Sequence, residues 1–413
     1  MRDLLYLAHR IPFPPDKGDK IRSYHILKHL QKTHRIHLGC FFDDPADARY
    51  IDDLAQICAS VNCQSLPLNV KRRRGLAGIA RGDSITAASY QDSSMRRWVT
   101  ETVARYDIRE AFVFSSAMSP YVAPYSETMR IVTDLVDVDS EKWRIYADNA
   151  SFAPEILYRR EQQKVLELER AAARMSDHVL LVSEAETASC RALLPEFSKR
   201  LVAMTNGVDA GYFDPSLPYP DPYDGSEPVI VFAGAMDYGP NVDAVIWFSE
   251  NVFPKVLAKS PMAKFWIVGS NPKSAVRRLL RMHNVRITGR VDDVRPYLAH
   301  AACVIAPMRM ARGIQNKVLE GMAMAKPVVV TPAALEGLEA APGKDLELAR
   351  TEVEFAGSVI DAISGKITAM GVAARKYVLR HHDWQTNLRV LDGLVDESNP
   401  RNADSKLAIG AVA

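Results

Sequence analysis

The stretch Ala306-Pro307-Met308-Arg309-Met310-Ala311-Arg312-Gly313-Ile314-Gln315-Asn316-Lys317-Val318-Leu319-Glu320-Gly321-Met322-Ala323-Met324-Ala325-Lys326-Pro327-Val328-Val329-Val330 decides the fold class. It reads as the end of a strand, a glycine loop, a helix starting near Gly313, and a second strand led by proline. Such a strand–helix–strand unit makes its two strands parallel and lays the helix on one face of the sheet. Backbone N–H groups at the helix start, from Gly313, Ile314, Gln315, Asn316 and Lys317, can receive a diphosphate. Arg309, Arg312 and Lys317 supply positive charge. Further along the helix, the Glu320 carboxylate can accept vicinal hydroxyls such as those of a ribose.

The same alternation extends in both directions. Leu4–Ala8, Ile36–Phe42, Phe112–Phe114, Ile131–Val132, Val179–Val182 and Leu201–Met204 are apolar runs, as are Val229–Ala233, Phe265–Val268, Val285–Thr288, Ala302–Ala306 and Pro327–Val330. Unbroken runs of this kind fit strands covered on both faces. Ile21–Leu30, Pro154–Met175, Asn241–Leu257 and Ala373–Val395 read as helices. Residues 214–228 hold five prolines in fifteen positions and read as a stiff linker. The expected class is α/β, with two doubly wound domains at 1–213 and 229–372, a helical segment at 373–395 and a loose tail at 396–413.

Composition bounds the function. The chain has 413 residues, 47% hydrophobic and 25% charged, with 52 basic against 50 acidic side chains. A net charge of +2 argues against duplex nucleic acid as a partner. No run approaches a membrane span, and the five cysteines show no Cys-x-x-Cys spacing, so a reduced cytoplasmic protein is expected. His381-His382-Asp383 lacks a second ligand cluster, and no metal site is expected.

Ligands of doubly wound domains sit at the carboxyl ends of the strands. No Gly-x-Gly-x-x-Gly or Gly-x-x-x-x-Gly-Lys-Ser/Thr follows a strand, so redox dinucleotide and P-loop chemistry lose their phosphate cradle. After the first strand, Gly18, Lys20 and Arg22 open a helix and read as an anion site. After the Ile131-Val132 strand come Asp134, Asp137 and Asp139. Asp137 and Asp139 are the candidate catalytic residues, able to orient a hydroxyl or accept its proton. The plainer alternatives there are an Asp134–arginine pair and a helix cap at Asp139 or Ser140. Asn206, before Gly207 at the close of the first half, is a candidate donor-binding residue, the plainer reading being a turn. Gly234, which allows close backbone approach after the Val229 strand, and Asn241 are further candidates for donor binding, the plainer reading of Asn241 being a cap on the following helix.

These residues resemble a glycosyltransferase of the GT-B architecture, family 4 type. The resemblance rests on the glycine loop after the first strand, on Asn206-Gly207-Val208-Asp209, and above all on the Lys317–Val329 block. The strings Pro14–His25, Asp137–Trp143 and Met236–Ala244 resemble the sugar transferases of exopolysaccharide loci associated with exosortase/PEP-CTERM systems. The resemblance implies two Rossmann-like domains facing across a cleft, with a C-terminal helix crossing back to the first. It implies a nucleotide-diphosphate-sugar donor, no cofactor and no metal, transfer with retention, and a saccharide or polyprenyl-linked acceptor. It gives Glu320 the donor ribose, Gly18 an approach to the donor phosphates, the Gly313–Lys317 loop the diphosphate and sugar, and Trp384 the aromatic of the crossing segment. Arg312 stands where the family's first glutamate usually lies. The alternatives are a non-catalytic nucleotide-sugar-binding scaffold, which Arg312 favours, and a nucleotide-sugar epimerase that works without NAD. The run Lys71-Arg72-Arg73-Arg74, beside Leu76 and Ile79, suggests contact with an anionic membrane surface on the cytoplasmic side.

Overall fold

The computed structural model describes residues 1–148, 150–311 and 314–396. The chain divides into two compact units, one formed by residues 1–204 with residues 388–396, the other by Thr205–Asn387.

Seven strands make the sheet of the first unit: β1 (Arg2–Ala8), β2 (His34–Phe42), β3 (Ser60–Ser65), β4 (Glu110–Phe114), β5 (Arg130–Val136), β6 (His178–Leu181) and β7 (Leu201–Ala203). Their order is β3-β2-β1-β4-β5-β6-β7, parallel throughout. Helices cover both faces, which is why Leu4–Ala8 of β1 and Ala111–Phe114 of β4 are buried without interruption. The edge strand β3 has no apolar run in its sequence, Ser-Val-Asn-Cys-Gln-Ser, because it is half-exposed along most of its length.

The second unit holds β8 (Val229–Ala233), β9 (Lys264–Val268), β10 (Val285–Gly289), β11 (Cys303–Ala306), β12 (Val328–Val330) and β13 (Glu347–Leu348). Their order is β10-β9-β8-β11-β12-β13, again all parallel. In both sheets the winding reverses beside the first strand, between β1 and β4 and between β8 and β11. A doubly wound sheet opens a crevice at such a reversal.

Three boundaries differ from the sequence reading. The first unit ends at Met204, and the proline-rich stretch belongs to the second unit. The Tyr223 ring meets Trp266 edge to face with ring centroids 5.0 Å apart, and its hydroxyl donates to the Tyr297 carbonyl at 2.6 Å. Arg295 lies 3.7 Å from the centre of the Tyr212 ring, and Arg375 donates to the Phe213 carbonyl at 2.8 Å. A stretch with little aliphatic content is therefore held by its tyrosines. The expected helix at 373–395 breaks into Thr368–His381, Trp384–Asn387 and Val390–Asp396. The break falls where the His382 carbonyl accepts from the Val208 N–H at 2.8 Å and Asp383 caps the next turn. The last of these helices packs in the first unit, with Leu391 buried and the Leu394 carbonyl accepting from Arg130 at 2.7 Å. The expected helix Asn241–Leu257 is Gly239–Trp247 and Phe253–Leu257 around a wider turn at Phe248–Val252. The tail beyond Asp396 lies outside the described residues.

Candidate nucleotide-sugar site

Beside the reversal of the second sheet, β8 is followed directly by Gly234 and its neighbour β9 by Gly269. A Cβ on Gly269 would stand 1.8 Å from the Gly234 carbonyl oxygen, so only glycine lets these two strand ends close together. A Cβ on Gly234 would come within 2.8 Å of the Asn241 amide nitrogen. Gly234 thus keeps space for the side chain that organises the site. Gly269 is a residue that sequence reasoning missed; its signal was a glycine directly after an apolar strand.

Asn241 does not cap its helix. It sits inside Gly239–Trp247, buried, with its amide N–H donating to the Ala235 carbonyl at 2.9 Å. That bond fixes the amide and turns its oxygen toward Lys317, whose ammonium donates to it at 2.9 Å. The ammonium also lies 5.0 Å from the centre of the Phe232 ring. Among the described residues no carboxylate stands within 4 Å of Lys317, so it is a cation without a full counter-charge. Burial pushes its pKa down to about 8, with Glu320 opposing. Burial likewise pushes the Glu320 carboxyl up to about 7, with Lys317 opposing.

Lys317 and Glu320 stand three residues apart on the helix Asn316–Ala323, on neighbouring positions of one face. The helix begins after the loop from β11, so its first-turn N–H groups lie at the carboxyl end of the sheet. Asn316 at its first position accepts from the buried Asn206 amide at 3.4 Å. Ile314 is buried and Gln315 precedes the helix. Arg312 and Gly313 lie outside the described residues. Arg309 is half-exposed and bound by its guanidinium to Asp243, with Nε 2.9 Å from Oδ2, so part of its charge is already answered. This constellation offers an unneutralised cation, helix N–H donors and a carboxylate one turn on. It can hold a diphosphate beside a pair of hydroxyls.

The Asn206-Gly207 pair is a docking seat as well as a chain turn. A Cβ on Gly207 would stand 2.8 Å from the Trp384 ring, and His382 Nδ1 lies 2.9 Å from the Asn206 carbonyl oxygen. Trp384 is buried there, within the second unit.

The first unit uses its basic residues differently. Lys20 and Arg22 are buried inside the helix Gly18–Leu30. Lys20 pairs with Asp47 at 3.0 Å and Asp16 at 3.3 Å. Arg22 donates to Asp134 through two nitrogens at 2.7 and 3.1 Å and to the Met204 carbonyl at 2.7 Å. Neither side chain faces an open site, and the plainer reading of Asp134 as an arginine's partner is the observed one. Gly18 is exposed at the helix start, but the next residue, Asp19, places a carboxylate there. Despite burial, His9 and Arg10 hold that carboxyl below the ordinary range, and Arg10 pairs with it at 2.6 Å. The anion expected at this helix start is supplied by the chain itself.

Asp137 and Asp139 stand just beyond β5, on a turn in which Val136 adopts φ +69°. A β-branched residue is strained there. Three buried carboxylates hold the turn. Asp134 accepts from the Val136 N–H at 3.0 Å, Glu186 from Val138 N–H at 2.9 Å, and Glu169 from Ser140 N–H at 3.1 Å and the Ser140 hydroxyl at 2.6 Å. Burial pushes the Glu169 carboxyl up to about 8. Asp137 and Asp139 themselves are half-buried and share Lys142, at 3.2 and 2.9 Å. Glu169 and Glu186 were not legible as site residues, since both come from later helices.

Half of the basic run is consumed by the fold. The Lys71 ammonium lies 4.3 Å from the centre of the Tyr90 ring and Arg74 pairs with Asp92 at 2.5 Å. Arg72 and Arg73 are exposed, as are Leu68 and Leu76 on the same helix. Among the described residues no helix is long and apolar enough to cross a membrane. No three His, Cys, Asp or Glu side chains among them converge as a metal would need.

The two parallel-sheet units are the GT-B fold. Sucrose-phosphate synthase from Thermosynechococcus elongatus superposes with a TM-score of 0.71 at 15% identity, over 95% of this chain and 98% of that one. HepE from Anabaena, solved with UDP and glucose, superposes with 0.66 at 16% identity, over 95% and 98%. WaaG, a glycosyltransferase involved in lipopolysaccharide biosynthesis, gives 0.65 at 14% identity, over 96% and 100%. Residues 227–364, within the second unit, match the family model described as glycosyl transferases group 1. A curated relative, an uncharacterized 44.6 kDa protein in the cps region of Klebsiella pneumoniae, is 26% identical over 140 residues, 32% of this chain. That match spans about a third of the relative's own length.

Proposed function

We propose that this chain is a glycosyltransferase that moves a sugar from a nucleotide-diphosphate donor to a saccharide or lipid-linked acceptor. The observation that carries the reading is the Lys317 ammonium, held by the Asn241 amide with no described carboxylate within 4 Å, beside a helix start and one turn from Glu320. In the reaction the bond from the anomeric carbon to the diphosphate breaks and a bond to the acceptor oxygen forms. Charge on the leaving diphosphate is stabilised by Lys317 and by the N–H groups of the helix Asn316–Ala323, so the reading requires no metal ion. Glu320 takes the ribose hydroxyls. Asp137 or Asp139 orients the acceptor hydroxyl and receives its proton. The group 1 match over the second unit and the UDP-bound neighbour support a nucleotide donor.

The resemblance to family 4 adds retention of anomeric configuration. The capsule-region relative and the exopolysaccharide-locus resemblance add a role in cell-surface glycan synthesis, in the cytoplasm. Exposed Arg72 and Arg73 beside Leu68 and Leu76 support a peripheral seat on anionic lipid. The test is calorimetric titration with a panel of nucleotide diphosphates and their sugars, followed by mass spectrometry of products formed on candidate acceptors. Binding of one donor with loss of affinity in Lys317→Ala is the expected result. Binding without turnover on any acceptor would favour the scaffold alternative.

A further inference from the structure

Beyond Asp139 the chain forms the helix Asp139–Asp148 and then the long helix Phe152–Met175. Asp139, Trp143 and Tyr146 recur at spacings of four and three, with Lys142 beside them, so the four lie along one stripe of the first helix. Tyr158, from the second helix, closes on that stripe. The Trp143 ring centre lies 5.9 Å from that of Tyr146 and 5.6 Å from that of Tyr158, and the two tyrosines are 6.2 Å apart. Three aromatic rings so close together would normally be core. Here Tyr146 is 43% exposed, and Trp143 and Tyr158 are only half-buried.

We propose that this stripe is the seat of a saccharide acceptor longer than one sugar, an inference that rests on the transferase reading above. A pyranose has an apolar face of C–H bonds and a rim of hydroxyls. It needs a flat ring to lie on and charged acceptors and donors around it. The stripe supplies both: the rings of Trp143, Tyr146 and Tyr158, and the Asp137–Lys142–Asp139 cluster at its inner end. From Asp139 to Tyr146 the helix rises about 10 Å, more than a single hexose covers. The inner end is also the rigid end. The turn carrying Asp137 and Asp139 is pinned at Val136, Val138 and Ser140 by three buried carboxylates and stores backbone strain at Val136. The hydroxyl to be modified meets the pinned end, and the remaining sugars lie along the aromatic rings.

The charges speak against an anionic lipid surface as the occupant. Asp137 and Asp139 share Lys142, while Glu141, Asp148 and Glu155 pair with Arg144 and Arg159, so five carboxylates face three cations around the rings.

The experiment uses the full chain with UDP present, a glycan array running from monosaccharides to hexasaccharides, and flotation with phosphatidylglycerol vesicles. Trp143→Ala is expected to lower binding of the retained oligosaccharides at least tenfold while UDP affinity stays within twofold. Trp143→Phe is expected to restore most of the binding. Tyr146→Ala, at the more exposed ring, gives the same direction with a smaller drop and covers the case in which Trp143→Ala does not fold. Unchanged glycan binding in both alanine variants overturns the inference. So does a wild-type protein that binds UDP but no glycan longer than one sugar, or vesicle flotation that depends on Trp143 without any glycan binding. Failure to bind UDP would instead count against a uridine donor, and the glycan arm would still decide this inference.

Discussion

Both units open a helix with basic residues after a strand of a doubly wound sheet, yet the two sets of cations have opposite fates. In the first unit, Lys20 and Arg22 are buried and saturated by Asp16, Asp47 and Asp134. In the second, Lys317 has an amide oxygen where Lys20 and Arg22 have carboxylates. A buried cation with its own carboxylate is part of the scaffold. One held by a neutral amide has no carboxylate in contact to offset its burial, and its pKa falls for that reason.

The sharpest way to break this contrast is to remove one cation from each unit. Arg22→Met leaves Asp134 buried without its partner and should cost about 3–5 kcal/mol of stability, read as a lower denaturant midpoint. Lys317→Ala removes a desolvated charge and should leave stability within about 1 kcal/mol of wild type. It should weaken nucleotide-diphosphate binding by about 1.5–3 kcal/mol, the worth of a charged hydrogen bond. If Lys317→Ala unfolded the protein while Arg22→Met did not, the roles of the two units would be reversed.

A pH series sharpens the second half of the comparison. Lys317 titrates near 8 and loses its charge above that value, while Glu320 titrates near 7 and loses its charge below it. Nucleotide affinity should therefore peak between about 7 and about 8 and fall on both sides. In Glu320→Gln the acid limb should disappear, leaving weaker, flatter binding from pH 5 to 7. For stability the sign is the reverse. Glu320 is harder to ionise when folded, so its contribution is largest below about 4.5 and declines as pH rises through about 7. The smallest effect belongs to Arg309→Ala. Its half-exposed pair with Asp243 should contribute at most about 1 kcal/mol to stability, as a denaturation curve will show.

The doubly wound class and most of the strands were legible because buried parallel strands leave uninterrupted Val, Ile and Leu runs. Strand β3 was not, since a half-exposed edge leaves no such run. Lys317 and Glu320 could be singled out because one short helix places both beside a strand end. That Asp134 pairs with an arginine could be read too, but not which arginine, nor the partner of Lys20, because Asp47 and Asp134 lie 27 and 112 residues from Lys20 and Arg22. The same holds for Glu169 and Glu186, which pin the Asp137 turn from distant helices. The proline-rich stretch misled for a related reason. Its tyrosines find Trp266 and Arg295 only in three dimensions.

The central claim, that the second unit binds a nucleotide diphosphate through Lys317, is met most directly by calorimetric titration of UDP, and of the other nucleoside diphosphates in turn, into wild type and Lys317→Ala at pH 7.5. The account predicts binding of one of them by wild type and a loss of at least tenfold in the variant, with an unchanged melting temperature. Equal affinity in the two proteins would contradict it.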